Sequence, residues 1–180
     1  TDKGIAITET EYDARNQPIK ITDPLGNTTY YHYNYGYCND LEQRVLQKTT
    51  VDPKGIQIIE THDAFGRVVF VEKKDPYGEL LLKVEQVYDK TGNVTDIVHT
   101  VITPGKEERK VANCMQYNTN DQLICLIEAS GSNDQRVTRF EYTPYGEKEK
   151  IIKQGGIELK YTYNTLGLVE KLETLNAPDE

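Results

Sequence analysis

Aspartate side chains recur at turn-like positions along this sequence of 180 residues. Three of them, Asp13, Asp63 and Asp89, each follow an aromatic residue directly. Such a carboxylate can act as a general acid or base, ligate a metal, or accept hydrogen bonds from the backbone of a turn. A Gly, Asn or Asp three positions later favours the turn, because these residues tolerate the left-handed conformation that closes a hairpin loop.

The remaining reactive side chains lack the spacing of a catalytic or metal site. His32, His62 and His99 share no ligand spacing with one another or with a cysteine, which argues against zinc. The residues after Asp89 faintly resemble a calcium loop but lack a third-position ligand and a closing Glu. Neither a phosphate-binding loop nor a Gly-x-Ser-x-Gly motif occurs. We therefore expect no catalysis, no cofactor and no metal ion.

The first of two alternating turn signals is an aromatic residue, then Asp, Asn or Thr, then Gly, Asn or Asp three positions later. Six copies fit this signal, and Tyr33-Asn34 is an irregular seventh because Gly36 comes one residue early. The copies are Tyr12, Asp13 and Asn16; His62, Asp63 and Gly66; Tyr88, Asp89 and Gly92; Tyr117, Asn118 and Asp121; Tyr142, Thr143 and Gly146; and Tyr163, Asn164 and Gly167.

The second turn signal is Asp-Pro-x-Gly, which lies between copies of the first. Its proline presets φ near about −65°, and its glycine adopts positive φ freely. The copies are Asp23, Pro24 and Gly26; Asp52, Pro53 and Gly55; and Asp75, Pro76 and Gly78. Other turn sequences occupy the equivalent places further on, namely Thr103-Pro104-Gly105, Ser130-Gly131-Ser132 and Gly155-Gly156.

The runs between these turns alternate in polarity or are rich in β-branched and aromatic residues, which predicts β-strands. Helices are not expected, since no segment sustains a period of 3.6 beyond two turns. The predicted strands are 1–11, a short strand around Ile19 and Ile21, 28–34, 44–51, 56–61, 67–72, 80–88, 94–102, 109–117, 123–128, 136–142, 148–153, 157–163 and 168–175. The segment 35–42 breaks the rhythm, and we interpret it as a longer loop in which Asp40 can begin one helical turn.

The spacing of the aromatic positions predicts a repeat array. Successive positions lie 21 to 29 residues apart, which indicates stacked units instead of a closed globule. We expect one array of about six to seven units over residues 1–176, without an internal domain boundary, and a polar tail at 177–180. Because the sequence starts at Thr1 in mid-pattern, we interpret it as a fragment of a larger protein.

This alternation of turns resembles the YD repeat of the Rhs family over nearly the whole chain. The clearest matches are 11–34, 61–78 and 87–93. Four positions depart from the repeat: His62 replaces the tyrosine, Thr143 the aspartate, and Asn16 and Asp121 the glycine. The resemblance implies an all-β fold of consecutive antiparallel hairpins that form a curved strip, part of a spiral β-shell.

The resemblance also implies a function. Family members include bacterial polymorphic toxins, the C component of insecticidal toxin complexes, and teneurin-like proteins. The chain would be a structural shell segment that encapsulates and helps deliver a C-terminal toxin domain, without catalysis of its own. Its partners would be other YD repeats of the parent protein and the enclosed toxin. Its location would be secreted or cell-surface, although the fragment itself carries no signal.

An extracellular adhesion or carbohydrate-binding module is the alternative. Exposed tyrosine rings on a sheet can stack on sugars, and a repeat array offers such contacts many times. The densest tyrosine cluster lies at 30–37, where Tyr31 and Tyr33 are the candidate glycan contacts. Packing within the sheet is the competing interpretation of the same residues.

Charge and hydropathy argue against nucleic acid as a partner and against a membrane-spanning segment. The net charge is −8, and Lys and Arg are scattered, which argues against nucleic acid binding. The longest apolar runs are only a few residues, so a membrane-spanning helix is excluded. The runs 68–71, 80–82 and 123–127 are apolar on both faces, which predicts covered faces, adhesive sheet edges and self-association of the fragment.

The three cysteines do not make a disulfide framework. If Tyr117 faces Gln122 across its loop, then Cys114 and Cys125 are cross-strand neighbours. A bond between them under oxidation and two free thiols packed as small apolar residues both remain open.

Overall fold

The computed structural model describes residues 5–103 and 105–176. These residues form β-strands and no helix, so the all-β prediction is confirmed. The strands are β1 (Glu9–Tyr12), β2 (Pro18–Thr22), β3 (Thr28–Cys38), β4 (Arg44–Val51), β5 (Gln57–His62), β6 (Val68–Lys74), β7 (Leu80–Tyr88), β8 (Val94–Val101), β9 (Arg109–Tyr117), β10 (Leu123–Glu128), β11 (Arg136–Tyr142), β12 (Lys148–Ile152), β13 (Glu158–Tyr163) and β14 (Val169–Leu175).

The strand order in the sheet is the order along the chain, from β1 to β14. The registered pairs from β1 to β7 and from β9 to β14 are antiparallel. Short loops dictate this arrangement, because a loop of a few residues can join only adjacent antiparallel strands. The predicted succession of antiparallel hairpins is confirmed.

The chain divides into two compact units. The first extends to Gln86 and includes His99–Lys110, and the second comprises Val87–Val98 and the residues from Val111 onward. Few side chains are buried in either unit: Val45 is 4% exposed in the first and Cys125 is 9% exposed in the second. Most strand side chains are half-buried. The strands are therefore held chiefly by backbone ladders and cross-strand side-chain contacts.

Most predicted strands agree with the observed ones within two residues, and 44–51, 80–88, 109–117, 123–128 and 136–142 agree at both ends. The predicted strand 1–11 is wrong in extent, because β1 begins only at Glu9. Ile5 and Ile7 lie outside it and are 88% and 61% exposed. Turns on both sides limit β2 to five residues, which leaves them no pairing partners in β2.

The prediction of a longer loop with a helical turn at 35–42 is also wrong. β3 continues to Cys38, and a tight loop starting at Asn39 follows. The supposed turn at Tyr33-Asn34 is part of this strand, where a bulge between Asn34 and Tyr37 shifts the register against β4. A bulge adds a residue to one strand without ending it, so Gly36 gave a misleading turn signal.

The predicted cross-strand pairing of Cys114 with Cys125 is wrong. Cys125 lies opposite Gln116, and Cys114 lies opposite Ile127. Tyr117 lies opposite Leu123 instead of Gln122, and the register shifts again between Leu123 and Cys125, so the two cysteines are not directly opposed. The cysteines among the described residues are free thiols.

Some predictions fall outside the described residues: the start of the first strand at 1–4, Pro104 of the Thr103-Pro104-Gly105 turn, and the polar tail 177–180. Within residues 5–103 and 105–176, no helix is long and apolar enough to cross a membrane.

Candidate functional site

Two sets of loops join the strands. Hairpin loops connect each odd-numbered strand to the next one, and return loops connect each even-numbered strand to the next one. The hairpin loops are 13–17, 39–43, 63–67, 89–93, 118–122, 143–147 and 164–168. The return loops with the same length are 23–27, 52–56, 75–79 and 153–157, and the segments 102–108 and 129–135 are longer.

All the five-residue loops share one backbone pattern. The N–H of position 1 donates to the carbonyl of position 5, and the N–H of position 4 donates to the carbonyl of position 1. In the loop 23–27 these distances are 2.9 Å from Asp23 N to Asn27 O and 3.0 Å from Gly26 N to Asp23 O. The two turn signals of the sequence thus produce one loop geometry.

A side-chain acceptor at position 1 completes most of these loops. Asp63 Oδ1 accepts from the N–H groups of Phe65 and Arg67, both at 2.9 Å. The same acceptor role belongs to Asp13, Asp23, Asn39, Asp52, Asp75, Asp89, Asn118 and Asn164. Thr143 uses its hydroxyl at longer distances of 3.3 Å. Each acceptor forms hydrogen bonds with backbone N–H groups that would otherwise lack a partner within the loop.

Asp89 is the most heavily engaged of these carboxylates. Burial raises its pKa, but hydrogen bonds from Thr91 Oγ1, from the backbone and side chain of Asn93 and from Gly92 N outweigh burial and lower the pKa to about 2. At Asp63, burial again acts upward, and hydrogen bonds from Arg67 and Phe65 reverse it, so the pKa is lowered. Carboxylates held ionised by their own loops are poorly suited to general acid or base catalysis at neutral pH.

Position 4 of the loop adopts a left-handed backbone. Glycine fills it in most loops, with φ of 84° at Gly26 and 94° at Gly146. Non-glycine residues in the same place are Asn16, Glu42 and Asp121, each with φ of 58°. Asn and Asp tolerate this region, whereas Glu rarely adopts it, and sequence reasoning therefore missed the loop 39–43. The signal that could have found it is Asn39, four positions before a polar Gln43, as in the loop 118–122.

Aromatic residues at the ends of odd-numbered strands connect one hairpin to the one before it. Tyr142 at the end of β11 donates from its hydroxyl to the carbonyl of Leu123, the first residue of β10, at 2.8 Å. Tyr117 and Tyr163, which end β9 and β13, donate in the same way to the carbonyls of Val94 and Lys148. Tyr33 lies within β3 and donates to the carbonyl of Pro18. His62 ends β5 and its Nδ1 lies 3.2 Å from the carbonyl of Leu46. Tyr12 and Tyr88 end β1 and β7.

We call the four hydroxyl bonds of Tyr33, Tyr117, Tyr142 and Tyr163 the tyrosine links. Burial raises the pKa of Tyr33, Tyr117, Tyr142 and Tyr163. A phenol with a raised pKa stays protonated and remains a hydrogen-bond donor at neutral pH. The sequence indicated the recurring aromatic residue but not its hydrogen-bond acceptor. The acceptor is a backbone carbonyl, which every residue has, so no residue type identifies it.

The two candidate glycan contacts lie on one face of β3. Tyr33 uses its hydroxyl in a tyrosine link at 3.1 Å from Pro18 O. Tyr31 is half-buried, and the Lys48 ammonium lies 5.8 Å from the centre of its ring. Tyr33 is thus engaged in a tyrosine link and Tyr31 in a cation–π contact with Lys48.

Position 3 of the loops carries exposed apolar side chains that sequence reasoning did not single out. Six of them are between 75% and 91% exposed: Leu25, Leu41, Phe65, Tyr77, Tyr145 and Leu166. We call these residues the loop tips. The turn geometry does not require an apolar residue at this position. The signal was visible in the sequence as an apolar residue directly before position 4 of the loop, which is glycine in five of these six loops and Glu42 in the loop 39–43.

The described part of the chain contains cavities but no cluster of metal-ligating side chains. No group of three or more His, Cys, Asp or Glu side chains there could hold a metal ion. One cavity in the first unit, of about 190 Å³, is lined by Tyr37, Phe70, Glu72 and Lys83 among others. It is smaller than ordinary small-molecule sites, which measure about 300 to 1,000 Å³, whereas an open groove of about 530 Å³ in the second unit, lined by Met115 and Tyr117 among others, is within that range. In the smaller cavity, Lys83 is already paired with Glu85 at 2.8 Å.

Comparison with known proteins gives a structural match only. No protein-family model and no curated protein matches the chain. A chain of the Tc holotoxin pore of Photorhabdus luminescens is similar over 96% of this chain and 12% of its own length, at 12% identity and a TM-score of 0.53. A chain in the crystal structure of TcdB2–TccC3–Cdc42 is similar over 91% of this chain and 10% of its own, at 16% identity and a TM-score of 0.51.

The chain therefore spans about a tenth of the length of the chains that it matches. At these identities the likeness shows a shared fold. The fold expected from the YD-repeat resemblance is confirmed by a comparison that depends on coordinates and not on sequence motifs.

Proposed function

We propose that this chain is a segment of the wall of an Rhs/YD-repeat shell, with one repeat array over residues 1–176. The observation that carries the proposal is the fold match to Tc toxin chains over more than nine tenths of the chain. The recurring five-residue loops and tyrosine links support it, because they place the YD-repeat residues in one repeated structural role.

The wall would act mechanically. Backbone ladders join each strand to the next, and tyrosine links join several hairpins to the ones before them, so neighbouring hairpins are held together by both kinds of hydrogen bond. Further YD repeats of the parent protein would extend this surface into a spiral shell around a C-terminal toxin domain. The shell would keep the toxin apart from its surroundings during delivery from a bacterium, in a secreted or cell-surface setting.

The exposed loop tips support contacts with further repeats. Leu25, Phe65 and Tyr77 are between 84% and 91% exposed, and covering apolar surface of this size is favourable by about 25 cal/mol per Å². Neighbouring turns of a shell wall would provide such cover. In this proposal the chain has no catalytic role, which agrees with turn carboxylates that are already engaged as hydrogen-bond acceptors.

The first test is the sequence of the parent gene beyond Glu180. We expect further YD repeats followed by an unrelated C-terminal domain. The parent protein should then resist protease at that domain in its native state and lose this protection when urea opens the wall. A parent without further repeats, or a C-terminal domain cleaved equally with and without urea, would contradict the encapsulation proposal.

The adhesion alternative is tested separately with a glycan panel. Tyr31→Ala removes a candidate sugar-stacking ring without touching a tyrosine link, whereas Tyr33→Phe keeps the ring and removes the link to Pro18. Binding that is lost in the first variant and kept in the second would favour an adhesion module. The shell proposal expects no specific glycan binding by the parent chain.

A further inference from the structure

One face of the first unit contains a small cavity of about 190 Å³. The register places its strand residues on that face. Thr61 of β5 lies opposite Phe70 of β6, and Glu72 of β6 lies opposite Lys83 of β7. Tyr37 of β3 and residues of the loop 39–43 also line the cavity. The cavity therefore extends over the sheet from β3 to β7.

The lining of this cavity suits an organic cation. Thr61 is only 6% exposed, so part of the lining is shielded from water. The ring of Phe70 already faces a cation, because the Lys83 ammonium lies 5.0 Å from the ring centre. Tyr37 provides a second aromatic ring. The face of an aromatic ring attracts a cation, and the attraction is stronger where water is excluded.

Negative charge at the cavity exceeds positive charge. Lys83 is the cation of the lining, and its Nζ pairs with Glu85 Oε1 at 2.8 Å. The hydrogen bond with Glu85 raises the pKa of Lys83, and the charges of Glu85, Glu72 and Asp40 raise it further against the effect of burial. Within residues 5–103 and 105–176, no Lys, Arg or His nitrogen lies within 4.0 Å of the carboxylates of Asp40 and Glu72. A further cation would balance this excess of negative charge.

The opposite face of the same strands provides a comparison. Glu60 directly precedes Thr61 in β5, so its side chain lies on that other face. There Lys48 pairs with Glu60 at 3.2 Å and lies 5.8 Å from the centre of the Tyr31 ring. Both faces thus have an ion pair beside an aromatic ring. They differ in the two unbalanced carboxylates of the cavity.

We propose that the cavity binds an arginine side chain of another polypeptide. A guanidinium ion fits this lining better than an ammonium ion, because it is planar, stacks on aromatic rings, is weakly hydrated and can donate to two carboxylates at once. The volume lies below the range of about 300 to 1,000 Å³ for small-molecule sites, which favours a single side chain. The inference does not rest on the shell proposal.

The test is titration of the full chain with short blocked peptides, followed by NMR of the backbone amides. The peptides have alanine on both sides of arginine, lysine or citrulline, and citrulline keeps the shape of arginine without its charge. Free arginine, which has its own carboxylate, distinguishes the amino acid from a peptide ligand.

Four variants locate the binding site. Glu72→Gln and Asp40→Asn each remove one unbalanced carboxylate, and Lys83→Met removes the competing cation. Glu60→Gln is the matched control, because it makes the same change on the opposite face of the sheet. The amide spectrum shows whether each variant remains folded. If Glu72→Gln does not fold, Asp40→Asn in the exposed loop decides the outcome.

We expect the arginine peptide to bind with a Kd of about 1 mM and to shift the amides of Tyr37, Thr61 and Phe70. The lysine peptide and free arginine should bind more weakly, and the citrulline peptide should not bind. Glu72→Gln and Asp40→Asn should each weaken binding about fivefold. Lys83→Met should strengthen it, and Glu60→Gln should leave it unchanged.

Several results would overturn the proposal. One is the absence of shifts at the cavity, and another is equal binding of the citrulline and arginine peptides, which would show that charge is not recognised. Carboxylate variants that bind as tightly as Glu60→Gln would exclude the cavity as the site. Free arginine that binds as tightly as the peptide would overturn the assignment of a polypeptide partner.

Discussion

The hairpin loops and the return loops obey different rules, although many of them share one backbone geometry. Every hairpin loop has five residues and a side-chain acceptor at position 1. The return loops lose this regularity, since 102–108 and 129–135 are longer and 153–157 starts with Lys153 and contains two glycines with positive φ. The tyrosine links explain the difference, because each acceptor carbonyl belongs to the first strand residue after a hairpin loop. A return loop only has to reverse the chain.

The largest effect that would test this comparison is expected from Gly146→Val in a hairpin loop. Gly146 has φ of 94°, and an added Cβ would lie 3.3 Å from Gln122 Nε2, which donates to the carbonyl of Gly146. We expect a loss of about 1–2 kcal/mol from the left-handed backbone, measured by urea unfolding. At Gly66 and Gly92 the same substitution meets no atom within 4 Å, so only the backbone strain applies.

Gly36→Val is the matched control for these three variants. Gly36 lies within β3, and its φ is not among the positive values. Valine suits an extended strand, so this variant should be as stable as the parent. Equal stability of Gly146→Val and Gly36→Val would remove the special role of position 4.

A smaller effect is expected from Tyr142→Phe, which deletes one tyrosine link. The hydroxyl bond to Leu123 O at 2.8 Å would be lost, at a cost of about 1 kcal/mol. Because burial raises the pKa of Tyr142, the link contributes below its ordinary pKa and is lost as pH rises through the raised value. Tyr12→Phe is the control at a residue that is 61% exposed.

Urea unfolding of both variants at pH 8 and pH 11 checks this prediction. The difference between Tyr142→Phe and the parent should shrink at the higher pH, while Tyr12→Phe should match the parent at pH 8. A Tyr142→Phe chain as stable as Tyr12→Phe would show that the links contribute nothing to stability.

The smallest effect is expected from acid acting on the hairpin loop of Asp89. Its pKa is lowered from 3.8 to about 2 in the folded chain, so its stabilising contribution is complete above the unfolded value and is lost as pH falls through about 2. Asp89→Asn keeps the acceptor oxygen and does not titrate, as Asn118 and Asn164 already do in other hairpin loops.

The measurement is urea unfolding of parent and Asp89→Asn at pH 7, 4 and 2. We expect the advantage of the parent over the variant to fall between pH 4 and pH 2 and to stay constant above pH 5. An advantage that is the same at every pH would show that the loop hydrogen bonds do not depend on the charge of Asp89.

The sequence predicted the strands well, because turn residues with clear conformational preferences separate them. β4 and β7 agree at both ends with the predicted ranges 44–51 and 80–88. Two failures occurred where the residue type misleads about the backbone conformation. Glu42 takes the left-handed position without a sequence signal, and Gly36 lies in a strand although glycine commonly marks turns.

Two further features could not be obtained from the sequence for a different reason. The opposition of Cys114 and Cys125 depended on Tyr117 facing Gln122, but Tyr117 lies opposite Leu123, and a further register shift after Leu123 places Cys125 opposite Gln116. The tyrosine links join a side chain to a carbonyl 15 to 23 residues away. Backbone atoms are the same in every residue, so only the three-dimensional register identifies the acceptor.

The order of the strands favours folding of the chain during its synthesis. Each strand is next to its sequence neighbours in the sheet, so its pairing partner is always close along the chain. Contacts of this kind have low contact order, which favours rapid formation. A hairpin can pair with its predecessor as soon as it leaves the ribosome, without waiting for later residues. Whole hairpins can also be gained or lost in evolution without changing the register of those that remain.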